Sequence, residues 1–202
     1  MVLRTLLSLG LLLLVTPGLG GCAAVLAGGA VATGVAAGGT ALAEHDLRSA
    51  GSIVEDQVIE QKASNAILND HQLRGRVHID ITSFNMRVLM TGEAPSEELR
   101  DRAADLVRRV YKVRQVHNEV QISGPTSMVS RTSDTYLTGK VKTELLAYRD
   151  FDGTRVKVVS ENGTVYLMGL LYPKEADMVT NTVRNIGGVQ KVVPLFETPT
   201  KS

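Results

Sequence analysis

Cysteine occurs once in these 202 residues and tryptophan never, and the aromatic set is completed by five tyrosines and three phenylalanines. A single cysteine excludes an internal disulfide and a thiolate-built metal site, so any fold must be held by its core. So few aromatics make the position of each one informative. No excess of one charge is present either: 22 Lys and Arg face 21 Asp and Glu. That balance removes the electrostatic case for nucleic acid. The four histidines, His45, His71, His78 and His117, show no ligand-like spacing, which leaves no metal or cofactor site to expect.

What is present begins at the N-terminus. Arg4 precedes an apolar run from Leu6 to Val15, then Leu19-Gly20-Gly21 and the lone cysteine, Cys22. A charged start, a greasy stretch, small residues at a cleavage point and a thiol to receive lipid form a bacterial lipoprotein signal. Residues 1–21 are then expected to be removed, and acylated Cys22 becomes the first residue of a mature chain of 181 residues with 21 basic and 21 acidic side chains. Each buried methylene adds about 0.8 kcal/mol, so several acyl chains amount to permanent attachment. Ala23 follows the cysteine; in diderm bacteria Asp there commonly signals inner-membrane retention, so its absence points to export to the outer membrane, with the chain facing the periplasm. Residues 5–43 lack charge and are long enough to span a bilayer. From Ala23 to Ala43, however, they are mostly alanine and glycine, which gain little from hydrocarbon. A tether over 22–51 is the better expectation.

From Ser52 the chain runs through one plan twice. A helical period over Ile53 to Leu68 leads to alternating Val77, Ile79 and Ile81, a polar break at Ser83-Phe84-Asn85, and Val88-Leu89-Met90 ending at Gly92. Pro95-Ser96-Glu97-Glu98 then opens a helix to about Val110, followed by a strand from Val116 to Ile122. The second copy repeats this with a helix over Asp134 to Ala147, strand residues Val156, Val158 and Val159, and the turn Glu161-Asn162-Gly163. Val165 to Gly169, a helix from Pro173 and a strand over Val189 to Phe196 complete it. Asp56 overlays Asp134, Ser83 overlays Ser160, Asn85 overlays Asn162, Gly92 overlays Gly169 and Val113 overlays Val189, with one gap near Tyr111. Each copy, helix–strand–strand–helix–strand, can lay two helices on one face of a three-stranded sheet, making an α+β protein. Units this small are marginal alone, so the copies are expected to pack on one another. The expected boundaries are 52–124 and 132–199.

The hairpin Val165-Tyr166-Leu167-Met168-Gly169, the acidic helix after it and Gly187-Gly188-Val189-Gln190-Lys191-Val192 resemble the BON domain. Two such domains behind a lipoprotein signal resemble the dual-BON outer-membrane lipoproteins, whose pattern Asp46 to Gly51 and Ser133 to Tyr136 also match. The resemblance covers nearly all of the mature chain. It implies a non-enzymatic periplasmic protein that supports outer-membrane integrity, gathers at division sites and binds anionic phospholipid such as phosphatidylglycerol or cardiolipin through its second BON domain. The first copy departs from the pattern: Phe84-Asn85-Met86 stands where the turn would have glycine.

No catalytic constellation emerges from the residues themselves. Asp150-Phe151-Asp152-Gly153 lacks the later ligands of a calcium loop and reads as a turn. No glycine loop follows a strand, and no serine sits in a nucleophile elbow. Arg108, Arg109, Lys112 and Arg114 form a basic cluster that suits a solvated helix end, with a membrane or partner contact as the lesser alternative. The helix opening the second copy is more informative. At 100° per residue Leu137, Val141 and Leu145 face the sheet, and Tyr136, Gly139, Lys140 and Thr143 face away. Tyrosine suits a bilayer interface and lysine attracts anionic headgroups. From the residues alone the favoured reading is that Tyr136 caps the inter-domain packing and Lys140 is merely solvated. The resemblance implies lipid contact on that helix. A protein-interaction scaffold docking an envelope partner is the alternative.

Overall fold

The computed structural model describes residues 48–124 and 128–199. The signal segment 1–21, Cys22 and the tether as far as residue 47 lie outside the described residues.

The first copy opens with α1 (Ala50–Asn69), which starts inside the stretch expected to be tether. Ser49 caps it, its Oγ accepting the Ser52 N–H at 3.1 Å. The hairpin β1 (His78–Phe84) and β2 (Arg87–Ala94) follows, then α2 (Glu97–Arg108), capped by Ser96 with two glutamates in its first turn. The third lane is broken into β3 (Gln115–Asn118) and β4 (Gln121–Ile122), both parallel to β2. A single strand over Val116 to Ile122 is therefore corrected. The Asn118 side chain accepts the Val120 N–H at 3.3 Å, kinking the lane and sending Val120 into the core.

The second copy has α3 (Met128–Leu146), a 3₁₀ turn at Gly153–Arg155, the hairpin β5 (Lys157–Glu161) and β6 (Thr164–Leu170), α4 (Pro173–Arg184) and β7 (Lys191–Glu197) parallel to β6. The helix begins six residues before the expected Asp134. No breaker stands between Pro125 and that aspartate, so helical hydrogen bonding runs back to Met128.

Each domain buries its helices against one sheet face. Ile59, Ala63 and Ile67 of α1 meet Val88 and Met90 of β2 and Leu99, Ala103 and Val107 of α2. Leu137, Val141 and Leu145 of α3 meet Val165 and Leu167 of β6 and Val179 and Val183 of α4. These stripes have the three-to-four-residue spacing of a helix face, and alternation along β2 and β6 sends every other side chain to the opposite face. There Phe84 and Leu89 of the first domain and Tyr166 and Met168 of the second form one buried cluster, with Val159, Leu170, Val193 and Leu195 at its edge. The two copies pack sheet against sheet, as their small size demanded. Polar links border the contact: Asn85 Nδ2 donates to Glu197 Oε1 at 3.0 Å, Lys157 Nζ to Glu60 Oε1 at 2.7 Å, and Arg87 Nη1 to the Phe196 carbonyl at 3.4 Å.

The polar break expected at Ser83-Phe84-Asn85 is also corrected. β1 continues through Phe84, which is buried, and the chain turns at Asn85 and Met86. Both have positive φ, 51° and 62°, matching Asn162 and Gly163 at 48° and 73°. The missing glycine does not change the turn type; Met86 adopts the left-handed conformation without it.

Candidate functional site

The face foreseen on α3 is set by the stripe beneath it. Leu137, Val141 and Leu145 are buried, so Tyr136, Gly139 and Thr143 are turned to solvent, with Tyr136 73% exposed. The N-terminal part of the helix is fixed by Asp134, which is buried and accepts the N–H groups of Asn162 at 2.9 Å and Gly163 at 3.0 Å. One turn later Thr138 donates to Ser160 Oγ at 2.9 Å. The exposed face therefore stands on a helix clamped to the β5–β6 hairpin.

Lys140 is half-buried. Its Nζ donates to the Gly187 carbonyl at 2.9 Å, bridging α3 to the loop after α4. An ammonium has three donors, so among the described residues two remain for an anion. Gly188 in that loop has φ 104°, which residues with a side chain rarely adopt, while a Cβ there would make only an ordinary 3.5 Å contact with Leu137 Cδ1. Sequence reasoning placed Gly187 and Gly188 in the family pattern but not beside Lys140. Helix periodicity cannot reveal a neighbour 47 residues away, and the only signal was the glycine pair itself.

A Cβ on Gly139 would meet nothing within 4 Å. The glycine makes a bare notch between Tyr136 and Thr143 instead of relieving a clash. Thr143 Oγ1 donates back to the Gly139 carbonyl at 3.0 Å, so its hydroxyl proton is engaged by the helix. The structure thus joins Tyr136, Gly139, Lys140 and Thr143 on one surface and adds the Gly187–Gly188 loop to it.

Exposed tyrosine is common in this molecule. Tyr111, Tyr136, Tyr148 and Tyr172 are all exposed and only Tyr166 is buried, in the sheet-to-sheet contact, where burial and the neighbouring Glu119 and Glu161 push its hydroxyl up to about 12. The acidic tetrad is a turn: Asp152 accepts from the N–H and hydroxyl of Thr154, and Phe151 is buried. An open cleft of about 440 Å³ lies between the domains, bordered by Arg48, Phe84, Lys142, Leu146, Val156 and Lys157. Its cations are largely committed. Arg48 pairs with Asp56 at 2.8 Å and stacks over Phe84, and Lys157 pairs with Glu60. Among the described residues no helix is long and apolar enough to cross a membrane.

Residues 55–124 and 133–199 each match the family described as the BON domain. The chain is 35% identical over 198 residues to "Outer membrane lipoprotein DolP" of Haemophilus influenzae, covering 98% of both. It is 34% identical over 151 residues to "21 kDa hemolysin" of Actinobacillus pleuropneumoniae, covering 75% of this chain and 78% of that one. A solved C-terminal domain of CdsD, from the type III secretion system of Chlamydia trachomatis, is 19% identical and covers 72% of this chain and 67% of its own. Its TM-score of 0.28 is too low to bear on fold or function.

Proposed function

The chain belongs to the BON domain family, among the outer-membrane lipoproteins of the DolP type, and from that premise we propose that it reads anionic phospholipid through its second domain in support of envelope integrity. Acyl chains on Cys22 hold it to the outer membrane with its domains in the periplasm. The observation behind this reading is the composition of the α3 surface. An exposed tyrosine, a bare glycine notch and a lysine tied by only one donor stand on a rigid helix. Tyr136 supplies an amphipathic ring for the headgroup layer. Gly139 lets the helix backbone approach headgroups closely. Lys140 offers its two remaining donors to phosphate oxygens. Thr143 sits beside the notch as a contact.

This is a binding role and asks no bond-making of the site. Anchoring gives it strength: a weak headgroup contact becomes intramolecular once the acyl chains fix the protein to one membrane. The test is flotation of residues 44–202 with vesicles containing phosphatidylglycerol or cardiolipin, against phosphatidylcholine alone. Binding only to the anionic vesicles, weakened by Tyr136→Ala and Lys140→Glu, is the expected result. Equal flotation with neutral vesicles, or no loss in either variant, would sink the reading. Retention of an envelope protein by the wild-type surface but not by Tyr136→Ala, in the absence of lipid, would favour a scaffold instead.

A further inference from the structure

The two domains build the corner between their first helix and the loop after their second helix in opposite ways. In the second domain the loop is bare, Gly187-Gly188, and the helix supplies Tyr136 and Lys140. In the first domain the loop supplies Tyr111 and Lys112. Lys112 has φ 69°, the counterpart of Gly188 at 104°, and each precedes a valine packed against its own core, Val113 or Val189. A lysine crosses the same gap in both. Lys140 reaches from helix to loop, to the Gly187 carbonyl, whereas Lys112 Nζ reaches from loop to helix, to Glu55 Oε1 at 2.6 Å. The tyrosines are almost equally exposed, 75% for Tyr111 and 73% for Tyr136.

The geometry points to a second contact for an anionic phospholipid surface, on the first domain, centred on Tyr111 and Lys112. Tyr111 stands beyond the end of α2, with Lys112 Nζ 5.6 Å from its ring centroid. Arg108, Arg109 and Arg114 flank it in the sequence. Arg108 pairs with Asp105, and Arg114 lies 3.4 Å from Glu197. These pairs are solvent-exposed on at least one side, and such pairs hold weakly, so phosphate oxygens can compete for the cations. Arg109 is exposed and meets no carboxylate among the described residues. An exposed tyrosine beside a lysine, within a basic stretch of the chain, matches the apolar-to-anionic boundary of a bilayer. A non-glycine residue at positive φ is also a costly way to build a loop tip; here it presents a charge.

The absence of tryptophan makes the test direct. Tyr111→Trp and Tyr136→Trp each install one reporter in the full lipidated chain, reconstituted in vesicles of brominated phosphatidylglycerol and phosphatidylethanolamine or of brominated phosphatidylcholine alone. The expected result is quenching at position 111 in the anionic vesicles only, with the quenched fraction of the anchored chain falling about fivefold for each cation removed in Arg109→Gln and Lys112→Gly. The glycine variant suits the positive φ, so it keeps the fold while losing the charge. No quenching at 111, equal quenching in neutral vesicles, or quenching indifferent to both substitutions overturns the inference, as does shielding of position 111 only when envelope proteins are present. Position 136 reports separately: quenching there without quenching at 111 refutes this second contact and leaves the α3 reading standing, and the reverse refutes only the latter.

Discussion

Asp56 and Asp134 hold the same place in the two domains: each stands on the first helix, buried, with its carboxylate receiving both N–H groups of the hairpin turn 28 to 30 residues downstream. Among the described residues they are not equally loaded. Asp56 accepts from Asn85 and Met86, from the Ser83 hydroxyl at 2.7 Å and from Arg48 at 2.8 Å. Among charge-assisted bonds to described residues, Asp134 shows the two turn amides. Asp56→Ala would therefore leave more donors stranded, and a cost of about 3–5 kcal/mol is expected, against about 1.5–3 kcal/mol for Asp134→Ala. Urea unfolding of both variants checks the order, and equal losses would contradict it.

These aspartates also show how much was legible beforehand. Their coincidence in the repeat was visible, as were the two-helix, three-lane plan, the buried stripe Leu137-Val141-Leu145 and the surface opposite it, because each rests on local period or direct repetition. The reason for the coincidence was not. Asp134 read as a helix start, whereas it lies mid-helix and ties a turn that is distant in sequence. Phe84 read as part of a turn, whereas tertiary burial against Tyr166 and Met168 keeps it in the strand. The Lys140–Gly187 bridge was hidden for the same reason: no local pattern encodes a contact between elements separated by a hairpin and a helix.

Gly139 separates stability from binding. It lies inside α3, no atom would meet a Cβ there, and its φ is not positive. Gly139→Ala should raise stability by about 0.5–1 kcal/mol through helix propensity. The same methyl fills the notch between Tyr136 and Thr143, so anionic-vesicle flotation should fall while the melting temperature rises. A variant that gains stability and keeps full flotation would remove the notch from the site.

His117 makes the contact between the sheets sensitive to acid. Burial, seconded by the Arg87 guanidinium, holds its imidazole below the ordinary value of 6.5. Arg87 Nη2 is 2.9 Å from His117 Nε2, and the same side chain reaches the Phe196 carbonyl and Glu197 of the other domain. The folded state favours neutral His117, so its contribution is present above about pH 6.5 and is lost as pH falls through the lowered folded value. Thermal melts from pH 8 to pH 5 should show this decline, and His117→Gln should flatten it. An unchanged slope in the variant would assign the acid sensitivity elsewhere.

Glu93 is 3% exposed, lies opposite His78 in the β1–β2 register, and neither of its carboxylate oxygens has a hydrogen-bond partner among the described residues. A buried carboxyl in that state costs free energy that an apolar side chain of similar length would not. Glu93→Met is expected to stabilise the protein by about 1–3 kcal/mol. Denaturant midpoints compare the two directly; a loss of stability would mean that Glu93 is satisfied by a group outside the described residues.

Leu89 tests whether the two domains unfold as one. It is fully buried, yet it lies on the helix-free face of β2 and packs with Tyr166 and Met168 of the second domain. Truncation to alanine removes apolar contact from the seam while leaving both helix-covered cores untouched. The cost of such a cavity is about 2–5 kcal/mol, enough to split a shared transition when each small domain alone is marginal. Leu89→Ala should therefore turn a single calorimetric transition into two, whereas Val141→Ala, in the core of the second domain, should weaken that domain first and leave the seam to fail with it. A single, merely shifted transition for Leu89→Ala would mean that the polar bridges, Lys157 to Glu60 and Asn85 to Glu197, suffice to hold the domains together.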